Sequence, residues 1–254
     1  MTAGKRFIYI KTPEQIEKIR ESGRLASRTL DYAESVLKPG ITTKTLDDLI
    51  HDFIVSHNAV PATLGYRGFP GSSCLSVNNE VVHGIPGKRV IKEGDIVKVD
   101  VTTILDGYYG DNCRTFMVGE VPELAKKLVA ATREALELAI KTVKNGSRIG
   151  DIGYAIQSHV RPLGFSVVEQ FVGHGVGLEF HEEPSVPHYG EPGKGIMLKT
   201  GMVITIEPMI NSGVKDVVIM KDKWTALTKD GGLSAQFEHT MAVTDQGADV
   251  LTLS

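Results

Sequence analysis

The stretch FVGHGVGLEFHEEP, residues 171–184, places two histidines seven positions apart among alternating glycines and ends on two adjacent glutamates. It is not a zinc-binding HExxH helix, because Ser185 stands where the second histidine would have to be. Gly173, Gly175 and Gly177 would each cost a helix about 1 kcal/mol. The alternating glycines instead predict a backbone with unusual dihedrals, or one approached closely by another group. Three further segments carry acids where strands normally exclude them. In DIVKVDVTTILDGYYGDNCRTF, residues 95–116, Asp106-Gly107 has the composition of a two-residue hairpin turn between two β-rich arms. Counting out from that turn pairs Leu105 with Tyr108 and Thr102 with Asp111, so Asp100 and Asp111 are diagonal neighbours, roughly 7–8 Å apart, on one face. GMVITIEPMI (201–210) reads as an apolar strand holding one charge, Glu207, before a proline that ends the ladder. SAQFEHTMAVT (234–244) reads as another, with Glu238 facing the same way as Gln236 and Thr240.

A buried carboxylate either takes up a proton or finds a partner, and the last two runs contain no lysine or arginine. Two aspartates on one face repel unless a cation lies between them. A metal is the economical partner. Four carboxylates with one imidazole balance two divalent cations, and oxygen-rich ligands favour Mn, Fe or Co over structural zinc. Two such ions about 3.5–4 Å apart activate water for hydrolysis. Spacing does not say which of His83, His174 and His181 supplies the imidazole.

The elements that must position these residues repeat. Thr12-Pro13-Glu14-Gln15 is a helix start with a capping box, and an apolar or small stripe from Ile16 to Leu37 follows, ending at Lys38-Pro39-Gly40. A shorter helix carries Leu46, Ile50 and Ile54. Later, Pro122 opens a helix expected to reach Lys144-Asn145-Gly146, and a shorter helix follows through Val160. Gly40 and Gly146 occupy matching places, 106 residues apart. The pattern predicts one catalytic domain of two pseudo-symmetric αβ halves, roughly 12–118 and 119–250, with the site between them.

Composition narrows the classes. The chain of 254 residues has a formal charge of −3 with scattered Lys and Arg, which offers no footprint for nucleic acid. It has no apolar run long enough to span a membrane and no signal-peptide core, so a cytoplasmic location is expected. A helix beginning at Thr12 predicts no accessory N-terminal domain. Two cysteines, Cys74 and Cys113, exclude a disulfide or zinc-ribbon framework.

Taken together, NNEVVHGIP, DVTTILDGYYGD, GHGVGLEFHEEP, TIEPM and SAQFEHT resemble the type I methionine aminopeptidases, in order and spacing, from about Thr12 to Thr252. The resemblance implies an α/β pita-bread fold, two pseudo-symmetric halves around a curved antiparallel sheet. It implies a metal-dependent hydrolase that removes the initiator methionine from nascent chains with a small second residue, by attack of a metal-bridging water or hydroxide. Asp100, Asp111, His174, Glu207 and Glu238 would ligate two divalent ions (Fe, Mn or Co, with Zn or Ni in vitro), Asp111 and Glu238 bridging them. Glu207 would also shuttle the proton of the attacking water. His181 would contact the scissile peptide and stabilise the tetrahedral intermediate, while His83 would position the leaving amide. Tyr66, Phe69, Cys74, Phe180 and Trp224 match positions lining the methionine subsite. The glycines of residues 173–177 would let the substrate chain approach, Glu182 and Glu183 would be solvated or structural, and Cys113 would serve packing. Val82 departs from the cysteine that the family often has before its HGIP histidine. The resemblance also implies a monomer that meets nascent N-termini near the ribosome. A proline-specific dipeptidase of the same fold, and a binding module that has lost catalysis, are the alternatives; all five ligands and both further histidines stand here.

Overall fold

The structure, a computed structural model, describes residues 7–253. Helix α1 spans Pro13–Val36 and starts as the sequence demands: the Thr12 hydroxyl accepts from the Gln15 N–H, and the Gln15 side chain accepts from the Thr12 N–H. Its buried stripe includes Ile19, Gly23, Ala26, Leu30 and Ala33. Helix α2 covers Thr43–Ser56, α3 Glu123–Ile140 and α4 Ile149–Val160. The third helix thus ends short of the Lys144 boundary expected from periodicity. At its end the Thr142 and Val143 amides bond back only three residues, and the chain then turns through Gly146 at φ +88°.

At the centre lies the hairpin of strands Ile96–Leu105 and Tyr108–Met117, in the register counted from Asp106-Gly107: Leu105 opposes Tyr108 and Thr102 opposes Asp111. Strict alternation then sorts the residues. Val97, Val99, Val101 and Phe116 join α1 and α2 in one buried core. Lys98, Asp100, Thr102, Asp111, Cys113 and Thr115 occupy the alternate positions, on the other face. Around the hairpin a nine-stranded sheet, antiparallel in every strand pair, adds Cys74–Val77 and Val60–Pro61 on one side. On the other it adds Glu238–Val243, Val203–Ile206, Gly173–Gly175 and Glu182–Val186, with Ala248–Val250 paired to part of Glu238–Val243. Helices α3 and α4 cover that second side in a separate core that includes Leu128, Ile152, Ile156 and Ile204. Close packing of α1 on the hairpin requires glycine at Gly110, where a Cβ would lie 2.3 Å from the Gly23 nitrogen.

Two expected strands are each two. Residues 201–210 divide into Val203–Ile206, in the large sheet, and Met209–Asn211, in a three-stranded sheet, with Glu207 and Pro208 in the break. Residues 234–244 divide in the same way into Ser234–Gln236 and Glu238–Val243 around Phe237. Proline explains the first break by removing a ladder donor. In both, the chain changes sheet at or beside the acid, which brings the two glutamates to the seam between sheets.

Candidate metal centre and substrate cavity

Pairing sets four residues in one lateral row across the sheet. Cys74 opposes Asp100, Asp100 opposes Cys113, and Cys113 opposes Glu238. Asp111 lies on the same face one step along, its Oδ1 accepting from the Thr102 hydroxyl at 2.7 Å. His174 closes the group from the short Gly173–Gly175 strand. Its Nε2 is 3.7 Å from Asp111 Oδ2 and 3.6 Å from Glu207 Oε1. Its Nδ1 is 2.9 Å from the Gly175 carbonyl, so Nδ1 carries the proton and Nε2 presents a lone pair to the carboxylates. Glu207 is held by the Thr205 hydroxyl at 2.9 Å and by the Gln236 amide at 3.3 Å. One ligand atom from each of Asp111, His174 and Glu238 falls within a mutual 4.8 Å, and Asp100 and Glu207 line the same cavity.

The donor set fits a cationic guest. Asp111 and Glu238 are buried, and Glu238 Oε1 has no hydrogen-bond partner. The only Lys or Arg among the described lining residues is Arg67, exposed at the rim. Left without a counter-charge, burial raises Asp100, Glu207 and Glu238 well above the carboxylate range, their mutual repulsion adding to it, and raises Asp111 to about 7. Burial lowers His174 to about 4, which keeps the imidazole neutral and able to ligate.

The same cavity, about 340 Å³, continues into an aromatic end built from Tyr66, Phe69, Cys74, Phe180 and Trp224. All five residues expected in a methionine subsite meet there. Tyr66 and Phe180 are 4.7 Å apart between centroids, and Trp224 meets Phe69 edge-on at 5.2 Å. Trp224 sits in the turn joining Val217–Ile219 to Ala226–Thr228, where Asp222 accepts from the Trp224 and Thr225 amides, yet its ring faces the cavity. His83, at φ +57°, stands edge-on to Phe171 at 5.3 Å and to Trp224 at 6.0 Å, and burial lowers it to about 4. His181, open to solvent on one side, stacks on Tyr66 at 5.2 Å and lies 4.2 Å from the His174 ring. Desolvation, with His174 adding, lowers it to about 3. A second, open groove shares His174 and His181 with the cavity and runs out past Tyr9, Arg67 and Glu179.

Some expectations are revised. The glycines of residues 173–177 answer to the protein itself: a Cβ on Gly173 would meet the Thr205 carbonyl at 2.5 Å, and one on Gly175 the Glu183 carbonyl at 2.3 Å. Glu182 is structural and buried, pairing with Lys11 and accepting from the Leu178 and Glu179 amides at 2.7 and 3.0 Å. That clamp fixes the loop bearing Phe180 and His181. Cys113 does more than pack, since it sits between Asp100 and Glu238 in the row and its thiol reaches Gln236 Oε1 at 3.6 Å. Thr205 and Gln236, which hold Glu207, carry no motif of their own; Gln236 shares sequence parity with Glu238, the one sequence signal that points to it.

Residues 17–245 match metallopeptidase family M24. Methionine aminopeptidase A of Synechocystis is 54% identical over 247 residues, covering 97% of this chain and 98% of its own length. The crystal structure of methionine aminopeptidase from Rickettsia prowazekii superposes with a TM-score of 0.96 at 49% identity, covering 97% of this chain and all of that one. An Xaa-Pro dipeptidase from Bacillus anthracis shares the fold alone, at 22% identity and a TM-score of 0.79, and this chain covers only 62% of it. With its curled antiparallel sheet, its row of buried acids and its likeness along the whole length, the chain belongs to metallopeptidase family M24 and is a hydrolase of the methionine aminopeptidase type.

Proposed function

We propose that the chain releases N-terminal methionine from peptides and nascent proteins whose second residue is small, using two divalent ions held by Asp100, Asp111, His174, Glu207 and Glu238. One observation carries this reading: the acids, among them Glu238 with a buried oxygen that has no partner, line the same cavity as an aromatic, sulfur-containing pocket. Divalent ions bound among these acids supply an activated water at neutral pH and positive charge beside the substrate oxygen. The protein does the rest. Tyr66, Phe69, Phe180 and Trp224 enclose the methionine side chain, and the Cys74 thiol adds a soft contact to its thioether. Glu207 takes the proton of the attacking water and passes it to the leaving nitrogen. His181 and His83, both neutral, donate N–H bonds to the scissile carbonyl and the adjoining amide, adding no charge to the site. The open groove past Tyr9 and Arg67 takes the rest of the substrate chain.

The same reading treats the chain as one catalytic unit of related halves, 12–118 and 119–250, each with its own helix pair and core. It assigns Fe, Mn or Co as the metal, and a monomer working in the cytoplasm on N-termini emerging from the ribosome. No described helix is long and apolar enough to cross a membrane. The test is a series of Met-Xaa peptides with Xaa enlarged stepwise from Gly and Ala to Leu and Trp. Turnover should fall steeply beyond small Xaa. Equal turnover for Met-Gly and Met-Trp peptides would remove the small-residue clause.

A further inference from the structure

Glu207 stands one residue past the Val203–Ile206 strand, and Pro208 after it has no N–H to give to a ladder. The last residue of that strand with a ladder partner is Ile206, opposite His239. The Glu207 N–H therefore falls in the break between sheets, and its partner is a side chain. It donates to Nε2 of His188 at 3.1 Å, and His188 is fully buried. Because Nε2 accepts, the ring proton is on Nδ1, which is buried with no hydrogen-bond partner among the described residues. A buried donor without a partner is costly. An apolar side chain here would avoid that cost but would leave the Glu207 N–H unmet. Burial, with His174 adding, lowers His188 to about 3, in keeping with a neutral ring.

The ring is mounted from both sides. His188 lies two residues beyond the Glu182–Val186 strand, whose Val186 opposes Gly173, next to His174. Directly after it the chain is pressed onto α4. A Cβ on Gly153 would lie 2.3 Å from the Tyr189 carbonyl, and the Gln157 amide donates to the Gly190 carbonyl at 2.5 Å. Thr205 and Gln236 orient the Glu207 carboxylate, while His188 holds the backbone that carries it.

We propose that His188 is a positioning residue of the metal centre: its ring replaces the missing ladder partner of Glu207 and so fixes the Glu207 carboxylate opposite the His174 imidazole. Glu207 Oε1 and His174 Nε2, 3.6 Å apart, are placed to hold one ion together. Loss of the acceptor therefore acts on that ion and on proton carriage by Glu207, and leaves the aromatic end of the cavity alone. The inference rests on the function proposed above and adds a residue to it.

Three substitutions test it. His188→Gln returns an acceptor oxygen at the reach of Nε2, His188→Asn carries the same amide one bond shorter, and His188→Leu has no acceptor. Each is assayed as manganese-loaded protein on Met-Gly-Met-Met. Chelator-stripped protein is also titrated with cobalt, followed by visible absorption, and hydrogen exchange of the Glu207 amide is measured without metal. For His188→Asn and His188→Leu, kcat should fall about 10- to 100-fold with KM little changed, as is usual when support of a metal ligand is lost. One of two cobalt ions should bind more weakly by a similar factor, and the Glu207 amide should lose its protection. His188→Gln should recover most of all three. In a Glu207→Gln background, His188→Leu should weaken cobalt binding no further, because the group it positions is gone. Wild-type turnover and cobalt binding in His188→Asn and His188→Leu overturn the proposal. So does a His188→Gln protein no better than His188→Asn, a comparison that decides the matter where His188→Leu does not fold. An undiminished effect of His188→Leu in the Glu207→Gln background overturns it too. Turnover and cobalt binding depend on the proposed function, whereas amide exchange does not. An inactive wild type therefore counts against that function and leaves His188 to be judged by exchange.

Discussion

Metal affinity should fall sharply on mild acidification, and the structure gives the size of the fall. Metal ligation requires every carboxylate to be deprotonated, so protons and metal compete for the site. Asp111, without a cation, is raised by burial to about 7. At pH 8 it is mostly ionised, whereas at pH 5.5 only about one molecule in thirty is, so apparent affinity drops about 30-fold, or about 2 kcal/mol, from this one group. Burial raises Asp100, Glu207 and Glu238 as well, which can only add to the drop. His174 opposes none of it, because burial holds it at about 4 and it is neutral throughout the window. The sign differs from that of an ordinary ion-paired carboxylate. With folded-state values above the unfolded ones, the metal-free protein gains stability from these acids at low pH and loses it as pH rises toward 7, and bound metal reverses that penalty. Equilibrium dialysis of chelator-stripped protein against manganese at pH 5.5, 6.5, 7.5 and 8 measures the dependence directly. A dissociation constant that changes less than about threefold across that range would refute the account of the acids as a desolvated cluster awaiting a cation.

Further consequences are tested by substitution. Glu207→Gln should lose nearly all turnover, because a ligand charge and the proton carrier go together, and steady-state hydrolysis beside a metal assay will show it. His83→Ala should lower turnover strongly while leaving metal content intact; loss of the metal instead would make that histidine a ligand. Trp224→Ala should raise KM for Met-Gly-Met-Met more than it lowers kcat, since the ring borders the side-chain end of the cavity. An unchanged KM would return Trp224 to the role of a hairpin anchor. Gly110→Ala should destabilise the fold by roughly 1–3 kcal/mol, the usual cost of overpacking, because its new methyl meets helix backbone rather than a movable side chain. Urea unfolding at fixed metal concentration reads that difference.

Much of the site was legible in the chain for identifiable reasons. A two-residue Asp-Gly turn fixes the count on both arms, so the Thr102–Asp111 pairing and the shared face of Asp100 followed from period two alone. The capping box at Thr12 marked the start of α1 in the same local way. The breaks at Glu207 and Phe237 were not legible as sheet changes. Pro208 announced only the end of a ladder, and nothing local distinguishes Phe237 from a strand residue. The choice of His174 over His83 and His181 needed the family resemblance, because it depends on which loops the sheets bring together. Nothing in Val-Lys-Val-Asp-Val marks Lys98 as buried, since its partners are carbonyls 20 and 136 residues away. The glycines of residues 173–177 announced a close neighbour without saying whether it was substrate or protein; Thr205 and Glu183 are that neighbour.

Metal-dependent release of methionine tests the whole account most directly. Protein stripped with chelator and refilled with manganese or cobalt would be offered Met-Gly-Met-Met, Lys-Gly-Met-Met and Gly-Pro in parallel, with bound metal counted. The account predicts two ions per chain and release of methionine from the first peptide only, absent before refilling. Cleavage of Gly-Pro alone, or no cleavage of any peptide with two ions bound, would contradict it.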